Sequence, residues 1–550
     1  MHDWTKVEAG VFHAFHHQWI SEISRALNRG LRRCGVSRTM MAVNRSSMFR
    51  QQRDPTMKRR LDSEQPSECS CGCDRRDFLS AMGMAAGTLA LAPLTAKAGE
   101  PGPLRQKTAA VVRAVFLYPP SQTFGGPDGW WSWPGNDFDA EKRQEQYAAE
   151  LARVAEKLGI SIVCDGPAVA SAADAQRVAG ELGAAKPDGL LVIMFYNRSL
   201  GEADLLLKTA EDLGIPAVFF VGLGVKHGPV SHYRRPGVYF IQSLDNLQAI
   251  EYGMRMIHAK KRMGQSRLLS ITEAPEPREG TEPFLGTTIR VIPFARYADT
   301  FHSVPIGEEG KALIESVKAG AKEIRGIAPE ALENAARAHL AIKKLLADEQ
   351  ADGVTMNCLK RGMLKPCISF ATLNGQLVPA ACENDLPAVY TQLLGQLLTG
   401  RPGFQHNPCY DTEKNHYYAS HCTCPTKVYG PEGTDLPYLL RRFAHTNEGS
   451  CAIQVFWNPG DPVTMVRYYP GDPPALDVYA GKVVASHPMP PAAGCTTNVE
   501  IELTDRDDAC MVRGHHNLLF CGDYARQFRL FTQLYRMKLA DSGFRGPWPM

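Results

Sequence analysis

Two carboxylates and two imidazoles stand late in the chain. Glu383 opens Glu383-Asn384-Asp385, Asp411 follows 28 residues on, His421 ten further and His516 another 95. Acids and histidines supplied by loops and strand ends suit a divalent metal of intermediate hardness, Mn²⁺ or another divalent ion, with positions left open for a substrate's oxygens. His515 adjoins His516, and alternation along HHNLLF turns one ring inward and the other outward, so either can be the ligand. A rival set for zinc is Cys409, Cys422 and Cys424 with His416. Its C-x-C spacing is uncommon in structural zinc sites, and no second CxxC pair answers it. Asp385, just ahead of Leu386-Pro387, is expected to cap the helix that follows.

The order E-x-D, a loop Asp, Ser420-His421-Cys422 followed by Cys424-Pro425, and then Gly514-His515-His516 resembles the L-arabinose and L-fucose isomerase superfamily. The likeness runs loosely over residues 109–550, and only these motifs are specific. It implies a metal held by Glu383, Asp411 (where the arabinose branch carries Glu), His421, and His515 or His516. It also implies aldose–ketose isomerisation of a small sugar through a cis-enediol. In that chemistry a metal chelates both oxygens while a carboxylate moves the carbon-bound proton, so Glu383 and Asp411 are the candidate catalytic pair. Homo-oligomers in which a neighbour covers the site are a further implication. Trp130, Trp131 and Trp133 are available to stack on a sugar face or to pack as a loop. The competing reading is a non-catalytic, isomerase-like protein that binds a sugar or a partner. A periplasmic-binding-type protein is a weaker one, since it leaves the large C-terminal β region unexplained.

The elements needed to position these residues are legible in outline. From Ala109, apolar runs (AAVVRAVFLYP, ISIVCDG, DGLLVIMFYN, IPAVFFVG, PGVYFIQS) alternate with helical stretches, and RLLSITE closes the series. Apolar strands separated by helices imply a parallel sheet covered on both faces. No G-x-G-x-x-G follows the first strand, so a dinucleotide is not implied. A Pro/Glu/Gly-rich stretch near 274–286 marks a boundary, after which long helices, one starting at Pro329, flank another buried strand. Beyond about residue 425, short alternating runs with Pro and Gly turns indicate antiparallel β structure. The fold class expected is α/β: two Rossmann-like parallel-sheet domains over 99–275 and 276–425, then a C-terminal β-barrel or sandwich over 426–550.

Ahead of these lies an export signal. Arg75-Arg76-Asp77-Phe78-Leu79 is a twin-arginine pentad, followed by an apolar run from Ala81 to Leu94 and a small-x-small triplet, Ala96-Lys97-Ala98. Residues 57–98 are expected to be this signal, which implies passage through the twin-arginine translocase to the periplasm. Met57 is a sensible start for it. Residues 1–56 read as an unrelated or misassigned extension, whose first 31 residues resemble the N-terminus of a bacterial family of unknown function. His13, His16 and His17 there have no acidic partners and are expected to line a short helix. Residues 1–98 carry 15 Lys and Arg against 9 Asp and Glu, which leaves 46 against 49 in the body. That mildly acidic body implies no nucleic-acid surface, and no later run is apolar enough for a membrane anchor. Eleven cysteines after Ala98, odd in number and irregularly spaced, are no disulfide framework and fit free thiols.

Overall fold

The computed structural model describes residues 107–126, 134–164, 166–359, 361–445 and 449–539. The extension, the twin-arginine segment, His13, His16 and His17, and Trp130, Trp131 and Trp133 lie outside them.

The first sheet is parallel and built as the alternation predicts. Its strands are β1 (Val111–Leu117), β2 (Ser161–Cys164), β3 (Gly189–Met194), β4 (Ala217–Gly222) and β5 (Val238–Ser243), in the order β2-β1-β3-β4-β5. β3 at its centre is buried along its whole length. Helices α1 (Ala140–Leu158), α2 (Ala172–Ala185) and α3 (Leu200–Asp212) make the crossovers, and α4 (Leu247–Gln265) leaves the last strand. α1 shows how local chemistry sets the limits. Asp139 accepts a hydrogen bond from the Lys142 N–H at its start, and Gly159, at φ 64°, ends it in the left-handed conformation.

The second sheet corrects one expectation. β6 (Arg267–Thr272), the RLLSITE run, does not close the first sheet. It sits in the middle of a second one, in the order β11-β10-β6-β8-β7, with β7 (Arg278–Thr281) antiparallel to β8 (Thr288–Pro293) and the rest parallel. An apolar run buried on both faces carries no mark of which sheet will hold it. Helices α5 (Phe294–Ser303), α6 (Gly307–Ala319) and α7 (Pro329–Asp348) follow, with Pro329 in the first turn of α7 as expected. β9 (Glu323–Arg325) departs to a small separate sheet. The second sheet is completed by β10 (Gly353–Met356) and β11 (Ala380–Cys382), around α8 (Cys367–Gly375), and is followed by α9 (Leu386–Thr399). Glu349, fully buried, pairs with Arg290 Nε of β8 at 2.7 Å and with Arg296.

The third layer is a closed antiparallel barrel of six strands: β12 (Gly403–Asp411), β13 (His416–His421), β16 (Pro462–Tyr469), β17 (Ala475–Ser486), β18 (Thr497–Leu503) and β19 (Asn517–Cys521). Their order is β16-β19-β12-β13-β18-β17, and the β16–β17 pairing closes the ring. The barrel therefore begins before residue 426, because its first hairpin lies in the stretch read from sequence as α/β. Conversely, β14 (Tyr438–Arg442) and β15 (Cys451–Val455) stay outside it and pair with each other, and β14 pairs with β9 on its other side. Phe404, Tyr417, Met465, Tyr479, Ile501 and Leu519 pack together with Trp457 in one core. A last helix, α10 (Ala525–Leu534), was not anticipated in the β region. It returns to the first sheet, where the Gly237 N–H donates to Gln533 O at 2.8 Å and Gln533 Nε2 to Val238 O at 2.7 Å. Among the described residues, no helix is long and apolar enough to cross a membrane.

Candidate metal centre

The site forms where the second sheet meets the barrel. β11 ends at Cys382, and the next two residues, Glu383 (φ 63°) and Asn384 (φ 54°), are both left-handed. That conformation is unfavourable for residues with a Cβ, and where it persists the surroundings hold it in place. Here the Asn384 N–H donates to Met356 O at 3.0 Å, and its Oδ1 accepts from Ser270 Oγ of β6 at 2.7 Å. Asp385 then caps α9 as expected, Oδ1 accepting from the Ala388 N–H at 2.9 Å. Gln405 of β12 clamps the other side. Its Oε1 accepts from the Cys382 N–H at 2.6 Å and its Nε2 donates to Cys382 O at 3.3 Å, which joins sheet and barrel directly ahead of Glu383.

From the barrel come two histidines. His421 ends β13, and His516 precedes β19 in a left-handed conformation of its own, at φ 61°. Both rings are buried, 5.4 Å apart between centroids and nearly perpendicular. His421 Nε2 lies 3.7 Å from Glu383 Oε1, and His516 Nε2 lies 3.5 Å from Glu383 Oε2. One carboxylate thus offers an oxygen to each imidazole.

The protonation of His516 follows from its neighbours. Its Nδ1 is 2.9 Å from Asp385 Oδ2, and an ionised carboxylate only accepts, so Nδ1 carries the proton. In that tautomer Nε2 presents a lone pair, and that buried atom has no hydrogen-bond partner. A buried lone pair facing a carboxylate oxygen is unfavourable, and a cation between them would relieve it. Arg467 holds the pair in place, donating to Asp385 Oδ2 at 3.2 Å and to His516 O at 2.9 Å.

Electrostatics couple the acids to the imidazoles, and a cation would have to displace the proton that His421 holds. The His421 ring holds the Glu383 carboxyl below its ordinary range against the opposing effect of burial. For Asp385, burial pushes upward, but His516 and Arg467 outweigh it and the net shift is downward. Burial also disfavours a charged His421, yet Glu383 and the neighbouring Cys382 raise that ring to about 9.

His515 is exposed, with its ring 4.1 Å from that of His516, and burial lowers its pKa. Ligand atoms of Glu383, His515 and His516 all lie within 4.8 Å of one another, so either histidine of the pair reaches the acid. His516 is the one that Asp385 orients.

Asp411 is not brought to this site. It sits at the far end of β12, opposite His416, where its Oδ1 accepts from the N–H groups of Glu413 (3.2 Å) and Lys414 (3.1 Å) in the hairpin turn. His421 lies five residues along β13 from that turn, roughly 16 Å away at the rise of a strand. The rival set of Cys409, Cys422, Cys424 and His416 is scattered as well. Cys409 is exposed, Cys424 accepts from Trp457 Nε1 at 3.3 Å, and His416 Nδ1 is bound to Glu500 at 2.7 Å. Sequence reasoning missed Gln405, Arg467 and the second oxygen of Asp385, since none lies in a pattern that announces its partner. A surface cleft lined by Leu313, Ser316, Lys427, Asp435 and Tyr438 shares no residue with the centre.

A carboxylate and two imidazole nitrogens are a donor set that fits a divalent ion of the manganese-to-zinc range, with no preference among its members. No family model matches the chain, and no curated protein matches it. Among solved structures, a glucose-galactose binding protein, GanP, from Geobacillus stearothermophilus aligns at 14% identity and a TM-score of 0.16, covering 53% of this chain and 89% of its own. A sugar-binding protein of a sugar ABC transporter from Bacillus halodurans aligns at 13% identity and a TM-score of 0.15, covering 63% and 97%. Scores this low do not establish a shared fold.

Proposed function

We propose that this chain holds a divalent metal at Glu383, His421 and His516 and uses it to bind a small polyhydroxylated ligand of the sugar class. The observation that carries this is the buried, unpartnered His516 Nε2 at 3.5 Å from Glu383 Oε2. A divalent ion in that place supplies positive charge that polarises adjacent hydroxyl or carbonyl oxygens. Glu383 contributes the compensating negative charge, Asp385 keeps the His516 lone pair aimed inward, and Arg467 prevents Asp385 from turning away. His515, at the exposed edge, is placed to meet the ligand or complete the donor set. Two Rossmann-like domains and a barrel, as in the L-arabinose and L-fucose isomerase superfamily, belong to this proposal. So does a periplasmic location, which rests on the Arg75-Arg76 signal.

Isomerisation is the second reading, favoured by Glu383 itself, a carboxylate held in a strained turn between two imidazoles. Moving a carbon-bound proton between neighbouring carbons requires such an acid. Binding is placed first because the other acids of the sequence pattern are engaged elsewhere: Asp385 is bonded through both oxygens, and Asp411 belongs to a hairpin.

The test is the metal content of the full chain and its Glu383→Gln variant, produced with both manganese and zinc in the medium. Titration with a panel of aldoses and ketoses, before and after chelation, follows. Loss of about one divalent ion per chain in the variant, with sugar binding that disappears on chelation, is the expected result. A variant that keeps every ion held by the wild type would overturn the assignment. Conversion of an aldose to its ketose by the wild type alone would replace binding by isomerisation.

A further inference from the structure

We infer that a second, thiophilic metal site lies beside the Glu383 centre, built on Cys422 with Cys367, Cys382 and Cys495, and that it takes a d¹⁰ ion, Zn²⁺ or Cu⁺. The four cysteines come from four separate segments. Cys367 is the first residue of α8, Cys382 the last of β11, Cys422 follows β13 directly, and Cys495 precedes β18. All are buried, between 0 and 8% exposed. Cys422 is their hub: its ligand atom lies within 4.8 Å of that of Cys382, and the thiols of Cys367, Cys382 and Cys495 around it push its own well above the usual range. The Cys367–Cys422 sulfur separation is 3.6 Å. His421 closes the cluster with the face turned from Glu383: its Nδ1 lies 3.6 Å from Cys422 Sγ, and ligand atoms of Cys382, His421 and Cys422 all lie within 4.8 Å of one another.

Burial alone does not gather thiols in this way. Cys424, Cys451 and Cys521 are also buried, but they meet Trp457 Nε1, Ala331 O and the Asp461 carboxylate and no other thiol, whereas Cys382 and Cys495, which touch the Thr423 and Thr496 hydroxyls, stand beside Cys422 as well. A thiol is a weak donor and a weak acceptor, so mutual hydrogen bonding gives little reason to bring four together where alanine or valine would fill the space. A metal gives that reason. Two sulfurs about 2.3 Å from one tetrahedral ion stand about 3.8 Å from each other, close to the Cys367–Cys422 separation and far from the roughly 2 Å of a disulfide. Thiolate ligands select Zn²⁺ and Cu⁺ over harder ions, and the ion neutralises thiolates that could not otherwise be buried. This site does not rest on the sugar-binding reading, which draws on the opposite face of His421.

The test uses the full chain, purified anaerobically, as wild type, Cys422→Ser, Cys367→Ser and Glu383→Gln. Zinc and copper are counted by mass spectrometry, Co²⁺ replaces the ion for near-ultraviolet sulfur-to-cobalt bands, and Cu⁺ is titrated against a chromophoric chelator. The expected result is an ion kept in Glu383→Gln, lost in Cys422→Ser, and held roughly tenfold more weakly or worse in Cys367→Ser. Tetrahedral Co²⁺–thiolate bands would identify the site as zinc-type, and preferential retention of Cu⁺ as copper-type. Should Cys422→Ser fail to fold, Cys367→Ser and the wild-type Co²⁺ spectrum decide. A wild type that binds none of the three ions through sulfur, or one whose Cys367 and Cys422 are joined as a disulfide, overturns the inference.

Discussion

Asp385 Oδ2 lies 2.9 Å from His516 Nδ1, while Oδ1 of the same carboxylate accepts, also at 2.9 Å, from the Ala388 N–H. One side chain therefore starts α9 and fixes the tautomer of a ring contributed by the barrel. The two roles are separable. Asparagine caps a helix about as well as aspartate, but its amide group would donate into Nδ1 and drive the proton to Nε2. Asp385→Asn is expected to weaken metal binding roughly 10- to 100-fold and also to cost stability, because Arg467 loses its counter-charge. Asp385→Ala should show the same weakening and lose a further ~1 kcal/mol. Calorimetric metal titration and urea unfolding of both variants check this. Wild-type metal affinity in the two would show that Asp385 serves the helix alone.

Glu500 accepts from three cationic or titratable donors: His416 Nδ1 and His487 Nε2, each at 2.7 Å, and Lys414 Nζ at 3.1 Å. Burial pushes its pKa up, yet these donors outweigh burial and hold it at about 2. A carboxyl depressed by folding contributes stability that is present above its unfolded pKa and lost as pH falls through the folded value. The stability advantage of wild type over Glu500→Gln is therefore expected to be full at about pH 6 and mostly gone near pH 2. Urea midpoints at both ends of that range measure it, and a gap that stays constant would speak against the assignment.

Glu349 has no exposed surface and faces Arg290, itself 1% exposed, at 2.7 Å. Removing the acid leaves a buried guanidinium without its counter-charge, which costs about 3–5 kcal/mol. Chemical denaturation of Glu349→Ala should show a loss of that size. A loss below ~1 kcal/mol would mean that water replaces the carboxylate.

Gly395 of α9 packs against Phe520 of β19 so closely that an added Cβ would stand 2.0 Å from Phe520 Cζ. Alanine gains up to ~1 kcal/mol in helix propensity, but overpacking a rigid ring costs about 1–3 kcal/mol. The clash is expected to win. Gly395→Ala should unfold at a lower temperature than wild type, and a higher one would show that the ring has room to move.

What the sequence disclosed follows from the range of the interactions involved. The Asp385 cap, Pro329 at a helix start and the strand–helix alternation are local, and each was legible. Asp411 was read as the loop acid that the resemblance implies, and the structure puts it in a hairpin turn instead. The turn signal around it, Asp411-Thr412-Glu413-Lys414-Asn415 with Asn415 at φ 57°, was the better guide. The thiol cluster was invisible for the opposite reason. Cys367, Cys382, Cys422 and Cys495 have no motif spacing, and only the packing of α8, β11 and the barrel brings them together. The membership of β6 was equally beyond reach, since a strand buried on both faces looks the same in either sheet.

The return of α10 to the first sheet has a consequence for the order in which the molecule can be made. Gly237 and Val238 are among the earlier residues of the described chain to leave the ribosome, yet their partner Gln533 is among the last. Until α10 has been made, the β5 edge lacks the helix that packs on it. The first sheet can gather its own strands while synthesis continues, but its final stability waits for α10. Truncations that remove α10 should therefore be felt in the sheet formed first, and protease cleavage beside β5 would report when that contact is made.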